Sequence, residues 1–364
     1  ASQLTQAYEY LKQPAAYIGT LGQGSPSSLQ PLANTTPDVL CLQYLLNSFA
    51  KASIKQVCME VSSHALALNR IEGVDFSHAV YTNLSHEHLD FHHTMQAYAA
   101  TKAQLFATPS LQSVLINADD HYAELMMAKT PKHCKTFTYG LNNNADIYAR
   151  NWQATMTGSV VDICSPWGEC EIKTNMIGEF NLYNSLAIFS QLLINGVSLP
   201  DAASVMALLQ AVPGRMEVVV QSPCVIVDYA HTPDALQNVL QTLSRLKQNH
   251  LLVIFGCGGD RDKGKRPMMG QIAGQYADKV IITSDNPRNE NPHSIMSDIA
   301  AGVDTAVRPE LVADRHQAIQ QALNMAGKND IVLIAGKGHE SYQQIGQERI
   351  DFSDQQLVRH LLNG

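Results

Sequence analysis

A chain of 364 residues is long enough for two or three domains at roughly 100–200 residues each. Hydrophobic residues make up 45% of it and charged residues 16%, which excludes a disordered chain. The formal net charge of −8 argues against broad binding to nucleic acid or an anionic membrane, while leaving room for local basic pockets that take phosphate.

Residues 1–12 read as a helix with Leu4, Ala7, Tyr8 and Leu11 on one face. Loops bearing Gly19, Gly22, Gly24, Pro26 and Pro31 follow, and a second helix is expected near Asp38–Ala50. Short apolar runs at Gln56–Val61, His78–Thr82 and Ser113–Asn117 read as buried strands with helical patterns between them, an α/β arrangement with a mostly parallel sheet. Residues 145–175 alternate instead, with turns at Thr157-Gly158 and Trp167-Gly168. This predicts antiparallel hairpins packed beside the main sheet, followed by a helix over Asn181–Ile194.

A boundary is expected near Val212-Pro213-Gly214, dividing residues 1–213 from 214–364. Beyond it the α/β alternation restarts, with strands at Val225–Asp228, Leu251–Gly256, Lys279–Thr283 and Ile331–Ala335. The 7 cysteines are scattered and form no C-x-x-C, so a reduced, cytoplasmic setting is expected rather than a disulfide framework or zinc site. No stretch has the length and apolarity of a membrane span, and the first residues lack the pattern of a signal peptide.

The chemistry-bearing residues gather at predicted strand ends. Glu60, Val61, Ser62, Ser63 and His64 close one strand, where a carboxylate can hold Mg²⁺ beside a nucleotide; the plain alternative is a capping carboxylate. The segment Thr82–His93 carries four histidines within eight residues, His86, His88, His92 and His93. Its spacing departs from H-E-x-x-H and shows no third zinc ligand. Lys102 stands in a helical segment, which by itself describes a solvated surface group. Asn181 and Asn184 share a helix face, able to bond a nucleotide or to cap the helix. Arg215 can neutralise phosphate charge, and Asp228 ends a strand that leads through His231 to Thr232 as N-cap and Pro233 as first helical residue.

Gly256–Pro267 fits neither G-x-G-x-x-G, because Arg261 takes the third glycine position, nor G-x-x-x-x-G-K-[ST]. It reads as a loop for an anionic group. Ser284–Arg288 and Gly336–Glu340 end further strands. Arg261, Arg288 and Glu340 are therefore expected to converge on one sheet edge, as a pocket for a zwitterionic amino acid.

Taken in order, the runs Met59–His64, Thr82–Asp90, the helical Lys102, Phe180–Asn184, Gly214–Glu217, Asp228–Leu236, Gly256–Pro267, Asp285–Arg288 and Gly336–Glu340 resemble the Mur ligases of peptidoglycan synthesis over nearly the whole chain. The resemblance implies a central P-loop-type ATPase-like domain followed by a Rossmann-like C-terminal domain. It also implies ATP and Mg²⁺ as cofactors and an acyl-phosphate mechanism. Glu60 and His88 match magnesium-site positions, and Lys102 matches the lysine that is carbamylated to bind a second magnesium. Asn181, Asn184, Arg215, Asp228 and His231 match ATP contacts, with Arg215 also among the catalytic positions.

Asn34, Thr35, Thr36, Ser62 and Arg70 resemble contacts to the UDP-N-acetylmuramoyl-dipeptide, and Leu68 departs from the glutamine often found there. Arg261, Asp285, Asn286, Arg288, Gly336 and Glu340 match the diamino-acid pocket. The D-N-P-R run marks meso-diaminopimelate rather than lysine, because its second carboxylate can pair with Arg288. The family's G-T-N-G-K-[TS] phosphate loop would stand just before the first helix. The chain is accordingly expected to be truncated at its front, to bind ATP poorly by itself and to be inactive alone. A monomer without nucleic-acid or membrane partners is expected. The competing readings are a folylpolyglutamate synthase-like ligase, a nicotinamide-dependent oxidoreductase and a non-catalytic substrate-binding remnant.

Overall fold

Continuous apolar runs become central strands, because a strand covered on both faces has no polar side. The structure is a computed structural model that describes residues 1–85, 87–304 and 307–363. His86 of the histidine-rich segment lies outside the described residues. The chain forms two units, Ala1–Gln210 and Ala211–Gly364.

The first unit opens with helix α1 (Ser2–Tyr10) and strands β1 (Ala15–Gly19) and β2 (Gly22–Gly24). Helix α2 (Val39–Lys51) starts at Asp38, whose side chain accepts from the Cys41 amide and so satisfies an otherwise orphaned donor. Strand β3 (Gln56–Met59) pairs parallel with β1 in a three-stranded sheet, β2-β1-β3. Loops are expected over 13–24 from the glycine content, but the chain there forms an antiparallel hairpin. Ala15–Gly19 is buried throughout, but its alanines and glycine are weak strand formers and do not announce it.

A short helix α3 (Ser63–Ala67) leads towards a second sheet. This runs in chain order through β4 (His78–Tyr81), β5 (Ser113–Asn117), β6 (Lys135–Gly140), β7 (Ile147–Thr155), β8 (Gly158–Ser165) and β9 (Gly168–Thr174). Pairing is parallel from β4 to β7 and antiparallel from β7 to β9. The hairpins therefore continue the main sheet instead of packing beside it. Tyr139 and Gly140 of β6 pair with Ile147 and Tyr148, and a two-residue splice of that kind leaves no local signal.

Helices α4 (Leu89–His92), α5 (Met95–Ala103) and α6 (Ala123–Lys129) lie between these strands, and α7 (Glu179–Ile194) and α8 (Leu199–Met206) follow them. One core joins Leu115, Tyr139, Ile147, Ile163 and Ile172 of the sheet to Leu182, Leu186, Phe189 and Leu193 of α7. A second core joins Ala79, Tyr81, Val114 and Ile116 to Ala103, Phe106 and Met126. Each of the Val, Leu, Ile, Phe and Met side chains among them, fully buried, contributes about 1.5–3 kcal/mol relative to exposure.

The second unit is one six-stranded sheet. Its strands are β10 (Glu217–Gln221), β11 (Cys224–Asp228), β12 (Leu251–Phe255), β13 (Lys279–Thr283), β14 (Glu310–Val312) and β15 (Ile331–Ala335), in the spatial order β10-β11-β15-β12-β13-β14. Only the β10–β11 pair is antiparallel. Helix α9 (Pro233–Leu246) buries Leu236, Val239, Leu240 and Leu243, a stripe at i, i+3, i+4 and i+7. Its cap is the expected one, with Thr232 Oγ1 accepting from the Ala235 amide and Pro233 in the first turn. Helices α10 (Lys265–Tyr276), α11 (Pro292–Ala300), α12 (Arg315–Met325) and α13 (Asp354–Asn363) complete the unit, with the hairpin β16 (Tyr342–Ile345) and β17 (Glu348–Asp351).

The runs Gly256–Pro267, Ser284–Arg288 and Gly336–Glu340 leave the C-terminal ends of β12, β13 and β15, which are parallel neighbours. Open α/β sheets take ligands at that edge.

Candidate active site

In the first unit the site is built around Glu60. Its Oε1 accepts from the Tyr17 hydroxyl at 2.7 Å, and its Oε2 accepts from the Thr20 amide at 3.0 Å and the Thr20 hydroxyl at 2.8 Å. Burial works against its charge. The hydrogen bond from Tyr17 leads the groups that outweigh burial, so the carboxyl lies below its usual range and stays ionised. Thr36, fully buried, donates to the Glu60 carbonyl at 2.9 Å and accepts from the Ser62 amide at 3.0 Å. Arg70 donates to the Thr36 carbonyl, and Thr35 meets Thr20 hydroxyl to hydroxyl at 3.1 Å.

Four of the residues matched to the dipeptide substrate, Thr35, Thr36, Ser62 and Arg70, thus sit around the same strand end as Glu60. Asn34 is exposed beside them, Ser62 caps α3 through its hydroxyl, and Leu68 is exposed just past that helix. Tyr17 and Thr20 were not among the predicted residues. Their link to Glu60 spans about forty residues of chain, which no local pattern encodes.

Lys102 is not the solvated group that its helix suggests. Its Nζ donates to the Val61 carbonyl at 3.0 Å, and burial holds the amine below its ordinary pKa against the opposing charge of Glu60. His88 belongs to a neighbouring group of rings. It stands edge-on to His64 at 5.1 Å and to Tyr98 at 5.8 Å, while His92 stacks on Tyr98 and bonds the Ser63 hydroxyl at 2.9 Å. Burial, followed by the neighbouring ring of His88, lowers the pKa of His64.

Among the described residues no three His, Cys, Asp or Glu side chains are grouped so as to hold a metal ion. The ionised Glu60 suits an oxygen-seeking cation such as Mg²⁺. The imidazole of His88 is the poorest match to that preference.

At the start of α7, Asn181 donates to the Ile177 carbonyl at 2.9 Å and accepts from Asn184 at 3.3 Å. The pair latches the first turn of the helix to the short connection that precedes it. In the second unit, Asp228 accepts from the Met216 and Ala230 amides at 2.7 Å each, and burial raises its pKa. Arg215 lies exposed over the Tyr229 ring at 4.4 Å, leaving its N–H edge for an anion. The ring of His231 bonds the Tyr229 carbonyl at 2.9 Å, and Lys265 donates to the His231 carbonyl at 2.8 Å.

The expected amino-acid pocket is drawn together most tightly. Asn286 donates to Glu340 Oε2 at 2.8 Å and accepts from the Gln344 amide at 2.8 Å. Lys337 Nζ reaches both Glu340 Oε2 at 3.0 Å and Asn286 Oδ1 at 3.2 Å. Asp285 is buried, which raises its pKa, and a side chain at Gly336 would come within 2.6 Å of its carboxylate.

Arg288 donates from Nη1 to the Gly259 carbonyl at 2.8 Å. Its backbone, at φ 50°, is held by the Gln344 carbonyl and the Gly346 amide. Gly258 lies between Arg288 and Arg261, since a Cβ there would meet Arg288 Nη1 at 2.9 Å and Arg261 Cγ at 3.7 Å. Lys337 was missed, although it stands inside a quoted motif, because nothing local signals that a lysine is buried.

A description of the Mur ligase middle domain matches residues 2–191, and one of the Mur ligase glutamate ligase domain matches 214–338. The chain belongs to the Mur ligase family. A Chromobacterium violaceum relative called UDP-N-acetylmuramoyl-L-alanyl-D-glutamate–2,6-diaminopimelate ligase is 45% identical over 364 residues, 99% of this chain and 73% of its own. A solved structure of a ligase of the same name is 40% identical with a TM-score of 0.74, covering 99% of this chain and 75% of that one. The Mycobacterium tuberculosis folylpolyglutamate synthase complexed with ADP and AMPPCP also gives a TM-score of 0.74, over 92% of this chain and 85% of its own. At 16% identity it shares the Mur ligase fold alone.

Proposed function

We propose that the chain is an ATP-dependent ligase that adds meso-diaminopimelate to UDP-N-acetylmuramoyl-L-alanyl-D-glutamate. The observation that carries this reading is the cluster of Arg288, Asn286, Asp285, Gly336 and Glu340 on loops at one sheet edge, where the guanidinium is anchored on the Gly259 carbonyl and the Glu340 carboxylate on the Asn286 amide. Diaminopimelate offers a distal carboxylate to Arg288 and ammonium groups to the acids. Lysine would leave the guanidinium unpaired, at a cost of about 1–3 kcal/mol.

In this reading residues 1–213 activate the acceptor and residues 214–364 present the amino acid. The D-glutamyl carboxylate attacks the γ-phosphorus of ATP and releases ADP. The amine of diaminopimelate then attacks the acyl phosphate, and the tetrahedral intermediate collapses to amide and phosphate. Asn34, Thr35, Thr36, Ser62 and Arg70 orient the dipeptide. Asn181, Asn184, Arg215, Asp228 and His231 hold the nucleotide. Arg261, Arg288 and Glu340 read the amino acid.

Glu60, His88 and Lys102 are the residues that would hold Mg²⁺, which when bound neutralises charge on the transferring phosphoryl group. The depressed pKa of Lys102 supports its carbamylation, because the neutral amine is the form that adds CO₂, losing a proton and gaining two oxygen donors. No helix among the described residues is long and apolar enough to cross a membrane. The nucleotide substrates favour a cytoplasmic enzyme, acting as a monomer.

Amino-acid-dependent phosphate release tests the proposal. ATP, Mg²⁺ and the nucleotide dipeptide are supplied with meso-diaminopimelate or with L-lysine, and a separate arm supplies folate with glutamate. Both the chain alone and the chain carrying a relative's phosphate-loop segment at its front are assayed. Release is expected only with diaminopimelate, and from the chain that carries the phosphate-loop segment. Equal release with lysine, or release in the folate arm, would overturn the assignment.

A further inference from the structure

Buried lysines are costly unless their charge is matched, so a lysine with no exposed side-chain surface needs a reason. Lys337 is such a residue. Its Nζ donates to Glu340 Oε2 at 3.0 Å and to Asn286 Oδ1 at 3.2 Å, and it lies 5.5 Å from the centre of the Tyr342 ring. It stands inside the matched run Gly336–Glu340, but the mechanism above gives it no role.

The geometry points to Lys337 as a positioning residue of the amino-acid pocket, one that fixes Asn286 and Glu340 in the orientation that receives the substrate. This rests on the diaminopimelate reading above. An asparagine side chain has two faces of opposite polarity and can flip between them. Here two donors, the Lys337 ammonium and the Gln344 amide, both aim at Oδ1. The amide nitrogen is thereby turned towards Glu340, where it donates at 2.8 Å.

Glu340 Oε2 then carries two donors, while Oε1 accepts from no protein group among the described residues. That carboxylate is about one-fifth exposed, so Oε1 is the oxygen presented to an incoming ammonium. Without Lys337 the Asn286 amide loses one of the two donors that fix its orientation, and Glu340 can rotate either oxygen towards the substrate.

The role is tested with Lys337→Gln and Lys337→Met in the chain carrying a relative's phosphate-loop segment, titrating meso-diaminopimelate and Mg·ATP separately by calorimetry. Diaminopimelate affinity is expected to fall about tenfold in both variants, with ATP affinity changed by less than about twofold. A general structural role would weaken both ligands or lower stability alone. Unchanged diaminopimelate affinity in a folded variant, or an equal loss for ATP, would overturn the role.

If neither variant folds, the unaltered chain decides through a crystal structure with meso-diaminopimelate bound. Lys337 Nζ should remain on Glu340 and Asn286 without touching the amino acid; a direct bond from Nζ to a substrate carboxylate would sink the positioning role. Failure of the unaltered chain to bind diaminopimelate would instead remove the reading on which the inference stands.

Discussion

Glu60 and Glu340 both stand just past parallel strands, yet they are held in opposite ways. Glu60 is held by neutral donors, the Tyr17 hydroxyl and the amide and hydroxyl of Thr20, and Lys102 donates to the Val61 carbonyl rather than to it. Glu340 shares one oxygen with the ammonium of Lys337 and the amide of Asn286. A carboxylate stabilised by neutral dipoles keeps its full charge for a cation to find. One that is partly neutralised by a buried ammonium gives up charge for a fixed direction. The first arrangement suits a metal-assisted phosphoryl transfer, and the second suits discrimination between similar amino acids.

The largest test of that contrast lies beneath the Glu340 pocket. Arg315 and Asp354 form a wholly buried pair with two contacts of 2.8 Å, and Arg315 also donates to the Ala335 carbonyl. Arg315→Met strands the Asp354 charge and is expected to cost about 3–5 kcal/mol in denaturant unfolding of the second unit. A loss too small to measure would mean that the ionic layer does not support the pocket.

Next in size, Arg288→Ala should weaken meso-diaminopimelate binding about tenfold to a hundredfold while leaving ATP nearly untouched. Equal losses for the two ligands would place Arg288 outside the amino-acid pocket. On the Glu60 side, Thr36→Val removes a buried hydroxyl that serves both the Glu60 carbonyl and the Ser62 amide. The expected cost is about 1–2 kcal/mol in thermal unfolding.

The smallest effect is a slope. Because the Glu60 carboxyl titrates below its ordinary 4.5 when folded, it contributes stability that is fully present above that value and is lost as pH falls through the folded pKa. Glu60→Gln should therefore flatten the acid limb of the stability curve and converge with the unaltered chain at the lowest pH. Parallel curves would show that Glu60 is not held as an anion.

Much of the fold was legible because apolar runs speak for themselves. Ser113–Asn117, Lys279–Thr283 and Ile331–Ala335 are strands with the expected bounds, and the Thr157-Gly158 and Trp167-Gly168 turns join β7, β8 and β9. Ala15–Gly19 escaped notice because its two alanines and its glycine are poor strand formers, whereas the equally buried Ser113–Asn117 and Ile331–Ala335 are rich in Val, Ile and Leu. The hairpin Tyr342–Asp351 escaped because its residues are mostly polar and exposed, and its place is set by bonds to Arg288 and Asn286 rather than by a core.

At the site, residue identities could be read from motifs, but their partners could not. Tyr17 and Thr20 reach Glu60 across the fold, and the burial of Lys102 and Lys337 is decided by neighbours far away in the chain.

One close packing in the second unit has a mechanical consequence. A side-chain carbon at Gly214 would fall 2.2 Å from the Gly338 carbonyl carbon and the His339 amide nitrogen, and one at Gly338 would fall 2.8 Å from the Gly214 carbonyl oxygen. The loop that carries Arg215 and the loop that carries Lys337 and Glu340 therefore lie backbone on backbone, with no compliant side chain between them. Neither loop has room to move towards the other without displacing it. A push on the loop of Arg215 is therefore met directly by the backbone that carries Lys337 and Glu340.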